Sequence, residues 1–267
     1  MAIRNGLRNA MPHTYRRIAL GYNAVRLFGS ILRREVDFSM LTDITNKAKG
    51  TSEKQCPICG FTGFFEAFGS PPRWDARCPS CNSLERHRQF ALFLDNTPSV
   101  FANGRAVLHF APDDCIRTLL QRRSIKYTSA DLSRGDVDLR VNIEDMNIDD
   151  GQYDVIICSH VLEHVNDKAA LSELRRILKA DGTLIIAVPI IDGCDNTYED
   201  DKIIDSKNRL IYFGQEDHLR VYGADFIKRL INAGFQVRVH TAFGKEAVKF
   251  ALIMGEKIFV CTKADLN

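Results

Sequence analysis

The chain lacks any apolar run long enough to cross a bilayer. Its longest apolar stretch, Leu184–Val188 followed by Pro189 and two isoleucines, falls far short of the roughly 20 residues a membrane helix needs. It also lacks a charge excess: 36 basic and 34 acidic residues leave a formal net charge of +2. The molecule as a whole therefore has no dominant pull toward nucleic acid or an anionic membrane. Internal repeats and low-complexity tracts are missing too. The first forty residues contain no lysine, yet hold seven arginines against two acids, Glu35 and Asp37. Tyr15, Ile18, Tyr22, Val25 and Leu32 fall there at helical spacing, which predicts a basic amphipathic helix. A twin-arginine export signal is set aside, because Arg26 interrupts the apolar region and no small-residue cleavage site follows. Such a helix suits packing on the rest of the protein, contact with a partner, or peripheral attachment to a membrane.

What the chain does have begins with cysteine. Cys56-Pro-Ile-Cys59-Gly60 and Cys78-Pro-Ser-Cys81-Asn82 are separated by eighteen residues. Two residues between cysteines let both thiolates point at one tetrahedral ion from a tight turn. Gly60 and Asn82 each follow a second cysteine, where the turn calls for positive φ, and these residue types tolerate it best. Phe61, Phe64, Phe65, Phe68 and Trp74 between the pairs predict a small hairpin with an aromatic face. The spacing predicts a structural Zn2+ ribbon over residues 51–83 with Cys56, Cys59, Cys78 and Cys81 as ligands, and four thiolates leave no open position for catalysis. A redox Cys-x-x-Cys pair would want a βαβ context and would leave the second pair unexplained. The remaining cysteines (Cys115, Cys158, Cys194 and Cys261) are scattered. This usage fits a reducing compartment and a cytoplasmic protein.

The stretch from Ala106 to Val165 organises the rest. Short apolar runs at Ala106–Phe110, Lys126–Ala130, Val137–Val141, Asp154–Ser159 and Thr183–Pro189 alternate with helical patterns. The helical patterns are Cys115–Ser124 and Lys168–Lys179, with Ser83–Asn96 before them; Gly182 reads as the stop of the second. The alternation argues for parallel βαβ units, hence an α/β, doubly wound, Rossmann-like sheet. Asp131 closes the second run, where such a sheet holds a nucleotide ribose. Residues 190–222 form a long polar insertion expected to act as a lid or binding loop. A helix at Gly223–Ala233 and two closing strands, Phe235–Ala242 and Lys257–Thr262, predict an antiparallel edge hairpin. Residues 1–50, 51–83 and 84–267 thus divide into basic helix with linker, ribbon, and nucleotide-type domain. Arg86, His87 and Arg88 follow the last ribbon cysteine and read either as a solvated face or as a contact for an anionic substrate.

Tyr153-Asp154-Val-Ile, His160-Val-Leu-Glu-His164-Val and Leu174-Arg-Arg-Ile-Leu-Lys179-Ala-Asp-Gly182 resemble the signatures of class I S-adenosylmethionine-dependent methyltransferases (the type 11-like group). The resemblance covers about residues 84–262. It is narrower still to a bacterial subgroup with an amino-terminal Cys-Pro-x-Cys module, a Leu108-His-Phe-Ala-Pro112 loop and the segment Phe213-Gly-Gln-x-Asp-His-x-Arg-x-Tyr-Gly223. It implies a seven-stranded sheet, S-adenosylmethionine as cofactor, and methyl transfer by in-line displacement to a small-molecule or glycan-type acceptor. It also implies that the first loop (His109, Phe110, Ala111, Pro112, Asp113) cradles the methionine part. Asp131, with Leu132 beside it, would take the ribose hydroxyls, and Asn142, Ile143 and Glu144 would flank the adenine. Ser159 and His160 would close over the methionine end. The family's first loop is usually rich in glycine; here the corresponding positions read His109, Ala111, Asp113 and Cys115.

An alcohol acceptor needs a base, and His218 is the first candidate, with Arg220 and Tyr222 holding an anionic or polar acceptor. Glu163 and His164 read instead as groups that cap or orient a helix start. Two other readings compete: a zinc-ribbon RNA methyltransferase, which the mild net charge and the few basic residues of the ribbon oppose, and a non-catalytic zinc-binding interaction protein.

Overall fold

The computed structural model describes residue 50 and residues 52–69 and 71–264. The basic helix expected in the first fifty residues lies outside them. The chain divides into two compact units at Glu85/Arg86, with Val248–Ala251 grouped with the first.

The smaller unit holds two short antiparallel pairs, β1 (Lys54–Gln55) with β2 (Thr62–Gly63) and β3 (Glu66–Phe68) with β4 (Arg73–Arg77). Its apolar centre is Phe65 with Cys56, Cys78 and Ala251, and Phe61 packs against it. Phe64 and Trp74 face solvent, so the aromatic residues do not share one face as expected; the register shift between Glu66 and Phe68 breaks the alternation a single face requires.

The larger unit runs α1 (Glu85–Asn96), β5 (Ala106–Phe110), α2 (Asp114–Gln121), β6 (Lys126–Asp131), β7 (Leu139–Arg140), β8 (Tyr153–Ser159), a 3-10 turn (Leu162–His164), α3 (Asp167–Ile177), β9 (Leu178–Ala187), β10 (Tyr198–Glu199), α4 (Ser206–Phe213), β11 (Arg220–Val221), α5 (Phe226–Asn232), β12 (Phe235–Thr241), α6 (Gly244–Lys249) and β13 (Lys257–Lys263). Seven strands form one sheet in the order β12-β13-β9-β8-β5-β6-β7. All neighbours are parallel except β13, which is antiparallel to β12 and to β9. This is the Rossmann-like, seven-stranded class I architecture.

The strands read as unbroken apolar runs because the sheet is covered on both faces. Leu108, Phe110, Ile156, Cys158, Leu184 and Ile186 pack with Leu171 and Leu174 of α3 and Phe226 and Leu230 of α5. The alternate residues Val107, Val155, Ile157 and Ile185 pack with Phe90, Phe93 and Leu94 of α1 and Ile116 and Leu120 of α2. Amphipathic helices need this: each buries one stripe and leaves the other to water.

Two expectations are corrected. Gly182 does not stop a helix: α3 ends at Ile177 and β9 begins at once. Between Tyr153↔Leu178 and Val155↔Thr183 the β9 side spends six residues against three, and Gly182 lies in that bulge, where a Cβ would meet the Leu178 side chain at 2.8 Å. Residues 190–222, read from the sequence as one long loop, carry elements of their own. Asp205 caps α4 by accepting from Asn208 N at 3.0 Å, and Gly214 closes it with φ of 83°. β10 and β11 pair antiparallel. Among the described residues, no helix is long and apolar enough to cross a membrane.

Candidate functional site

Strand order reverses between β5 and β8, and in open α/β sheets the ligand crevice lies outside the carboxyl ends of the strands at that point. Both strands end there in a non-glycine residue at positive φ: Ala111 at 46° and His160 at 54°. A left-handed conformation costs an L-residue about 1–2 kcal/mol, and such strain collects at functional sites. Ala111 N donates to Ala130 O at 2.9 Å, which anchors the turn to β6. The loop that lacks glycine still adopts a backbone glycine would favour.

Arg134 fixes that loop from outside. Its guanidinium donates to Pro112 O at 2.6 Å, to Asp114 at 3.2 Å and to Asp136 at 2.7 Å. Its backbone N donates to Asp131 Oδ1 at 2.9 Å, and Ser133 N donates to the same oxygen at 2.7 Å. Burial works against ionisation of Asp131, but these amide bonds prevail and hold its carboxyl below the ordinary range. Asp131 Oδ2 makes no hydrogen bond among the described residues, so one oxygen, not both, is open to a ribose. Leu132 beside it is exposed.

Asp113 is committed elsewhere. Arg86 Nη2 lies 3.3 Å and His87 Nε2 3.0 Å from its Oδ1. Against burial, His87 and Arg86 drive its carboxyl well below the usual range. It therefore binds α1 rather than standing free for a cofactor amine, and Arg86 is not available as an anion contact. Arg88 is fully buried, so this basic run is not a solvated face. Pro112 offers only its carbonyl, already held by Arg134. His109 is buried, with Nδ1 3.1 Å from the Tyr127 hydroxyl; burial, with Arg117 and Arg134 adding and Asp113 opposing, pushes its pKa down to about 3. Phe110 and Ile143 sit in the core, so only their backbone can face a ligand. Asn142 Oδ1 accepts from Glu144 N at 3.1 Å, and Glu144 Oε1 accepts from Asn166 N at 2.9 Å, tying the loop after β7 to the start of α3. Ser159 ends β8, half-buried.

Of the three residues expected to be catalytic, two make their hydrogen bonds within the protein. Arg220 is buried and donates to Leu162 O at 2.8 Å, Val165 O at 2.5 Å and Glu199 at 3.0 Å. Tyr222 is 1% exposed, and its hydroxyl donates to Leu162 O at 3.0 Å beside Asp167. Their polar atoms hold the turn after β8, and Arg220 also borders the cavity described next. His218 faces a cavity. With Glu163, Ile190, Tyr212, Phe213 and Val221 it lines a cavity of about 320 Å³. Its ring meets that of His164 edge-on at 4.7 Å, and burial together with His164 lowers its pKa. Glu163 and His164, read from the sequence as groups that orient a helix start, join His218 in one cluster whose donor atoms all lie within 4.8 Å of one another. The His160-Val-Leu-Glu163-His164 run after β8 was the signal.

A cavity of about 850 Å³ bounded by Asp150, Lys168, Arg175, Arg176 and Lys263 sits at the amino-terminal edge of the parallel strands. That is the end of an open α/β sheet opposite to where ligands bind.

In the smaller unit, Gly60 and Asn82 take φ of 76° and 60°, and Gly60 N and Asn82 N donate back to Cys56 O and Cys78 O, each at 2.9 Å. The two knuckles are alike. Sγ atoms of Cys56 and Cys81 lie 3.6 Å apart and those of Cys59 and Cys78 3.7 Å, and all four fall within 4.8 Å. Hydrogen bonding from Cys78 draws the Cys56 pKa down to about 4, with burial opposing.

Residues 104–186 match the family model described as a methyltransferase domain. The fold resembles that of the [4+2]-cyclase SpnF, with a TM-score of 0.50 at 15% identity, over 71% of this chain and 86% of that one. A Burkholderia thailandensis 1,6-didemethyltoxoflavin-N1-methyltransferase, solved with S-adenosylhomocysteine bound, aligns with a TM-score of 0.46 at 14% identity, over 67% and 78%. An uncharacterized protein of Methanocaldococcus jannaschii is 49% identical over 47 residues, 18% of this chain. The chain spans about a fifth (21%) of that relative's length. Residues 104–186 are thus similar to a methyltransferase domain.

Proposed function

We propose that the protein transfers a methyl group from S-adenosylmethionine to a small-molecule or glycan-type acceptor. The observation that carries the reading is the open Asp131 Oδ2 at the end of β6, beside the strained turn at Ala111 and facing the strand-order reversal. The donor set fits the cofactor: a free carboxylate oxygen suits a ribose hydroxyl, and the small side chains of Ala111 and Ser159 suit close approach. When bound, the cofactor supplies a methyl group on a sulfonium. The protein's part is alignment and exclusion of water. Asp131 holds the ribose, the Asn142–Glu144 loop borders the base, and His160 bounds the methyl end. The acceptor sits in the cavity that His218 lines, whose about 320 Å³ suits a small group. With Arg86 paired and Arg88 buried, the basic run offers no phosphate track, which favours this acceptor class over RNA.

The four cysteines fit a structural zinc. Zinc–sulfur bonds of about 2.3 Å in a tetrahedron place neighbouring sulfurs about 3.8 Å apart, close to the separations of 3.6 and 3.7 Å.

Calorimetry with S-adenosylhomocysteine tests the site. Asp131→Asn, which keeps Oδ1 for the Ser133 and Arg134 amides, should weaken binding at least tenfold. Equal affinity removes Asp131 from the site.

A further inference from the structure

Glu163 is a carboxylate only 1% exposed. Its Oε1 lies 3.4 Å from His160 Nδ1, while its Oε2 is buried with no hydrogen-bond partner. A buried, unmatched carboxylate oxygen is costly to keep, so a group that satisfies it is expected. Glu163, His164 and His218 present their donor atoms within 4.8 Å of one another. Three ligands spread evenly on bonds of about 2.1 Å stand about 3.6 Å apart, so closing the set needs each donor atom to move inward by about 0.7 Å at most. Leu219 N donates to Glu163 O at 2.8 Å, and Arg220 grips the carbonyls of Leu162 and Val165. The two sequence-distant halves of the cluster are thus held rigidly together. His164 Nδ1 faces Asp217 at 3.1 Å, the carboxylate–imidazole pairing that orients a ligating histidine and leaves its other nitrogen free.

From this geometry we infer that Glu163, His164 and His218 form a divalent-cation site in the wall of the acceptor cavity. Two imidazoles and one carboxylate suit a cation of the manganese, iron, cobalt or zinc kind and leave positions open for a ligand. His160 holds Glu163 Oε1 so that Oε2 faces the cation. The acceptor consequence rests on the methyl-transfer reading: a hydroxyl reaching the cation is acidified, its proton passing to water. The cavity then takes hydroxyl-bearing acceptors whose apolar body lies against Ile190, Phe213 and Val221. In this arrangement His218 is a ligand rather than the general base.

Titration of the full-length protein, as purified with its cysteine site filled, with MnCl2 and with CoCl2 tests the site. One saturable site per chain is expected, and Glu163→Gln and His164→Ala should each weaken it at least tenfold. His164 is half-exposed, so His164→Ala keeps the test open if Glu163→Gln fails to fold. No saturable binding of either ion, or affinity unchanged in a folded His164→Ala, overturns the inference. S-adenosylhomocysteine titrated in parallel separates the two readings. Its binding without metal binding overturns the cation site alone; metal binding without it leaves the cation site standing and removes methyl transfer.

Discussion

His109 gives a pH dependence that can be worked from its surroundings. Burial lowers its pKa from the ordinary 6.5 to about 3. A histidine depressed in the folded state is protonated first in the unfolded chain. Stability is therefore whole above pH 6.5 and falls as pH drops below it, down to the folded value. At about 1.36 kcal/mol per unit, the linkage between pH 7 and pH 4.5 amounts to about 2.5 kcal/mol. His109→Phe keeps a ring beside Tyr127, whose centroid lies 6.1 Å away, but removes the titration. At pH 7 the variant should lose about 1 kcal/mol with the Tyr127 hydrogen bond. Between pH 7 and 4.5 it should then lose about 2.5 kcal/mol less than the parent. Urea unfolding followed by far-UV circular dichroism is the assay. The chain's single tryptophan, Trp74, sits exposed in the small unit and would report on the wrong part. Parallel stability–pH curves for the two proteins would refute the assignment of a neutral, buried imidazole.

Ala111→Gly should leave thermal stability within about 0.5 kcal/mol of the parent, since relief of the left-handed backbone is offset by unfolded-state entropy. A loss above 1 kcal/mol would mean that the Ala111 methyl is itself packed. Arg220→Met should cost about 3 kcal/mol in urea by stranding the Leu162 and Val165 carbonyls, and Tyr222→Phe about 1 kcal/mol; a loss below 1 kcal/mol for Arg220→Met would return that arginine to a direct acceptor role. Cys59→Ser should remove one zinc per chain by elemental analysis and leave the helical circular dichroism of the larger unit intact, and retained zinc would sink the four-thiolate site.

The central strands were legible because both faces of the sheet are covered, so Val107–Phe110 and Val155–Cys158 read as continuous apolar runs whatever their neighbours. The knuckles were legible because glycine and asparagine after a second cysteine announce a backbone sign. What escaped was side-chain commitment. Nothing local in Arg86-His87 says that Asp113 will claim both, and nothing in Arg220 or Tyr222 says that carbonyls of the Leu162 turn are waiting for them. Gly182 was misread because a glycine after a helical pattern can end a helix or permit a bulge, and only strand register decides between them. The Glu163–His164–His218 cluster needed a fold to bring a turn and a distant segment together.

Arg134 has a consequence beyond its own bonds. Where flexible, side-chain-free backbone usually lets a nucleoside come close, this chain imposes the same curve by bracing it with a guanidinium across two loops. Other proteins built this way would carry no glycine at the turn and an arginine three positions past the acid that ends the second strand of the large sheet. Patterns keyed to glycine would pass over them, while replacing that arginine would free the turn from its brace.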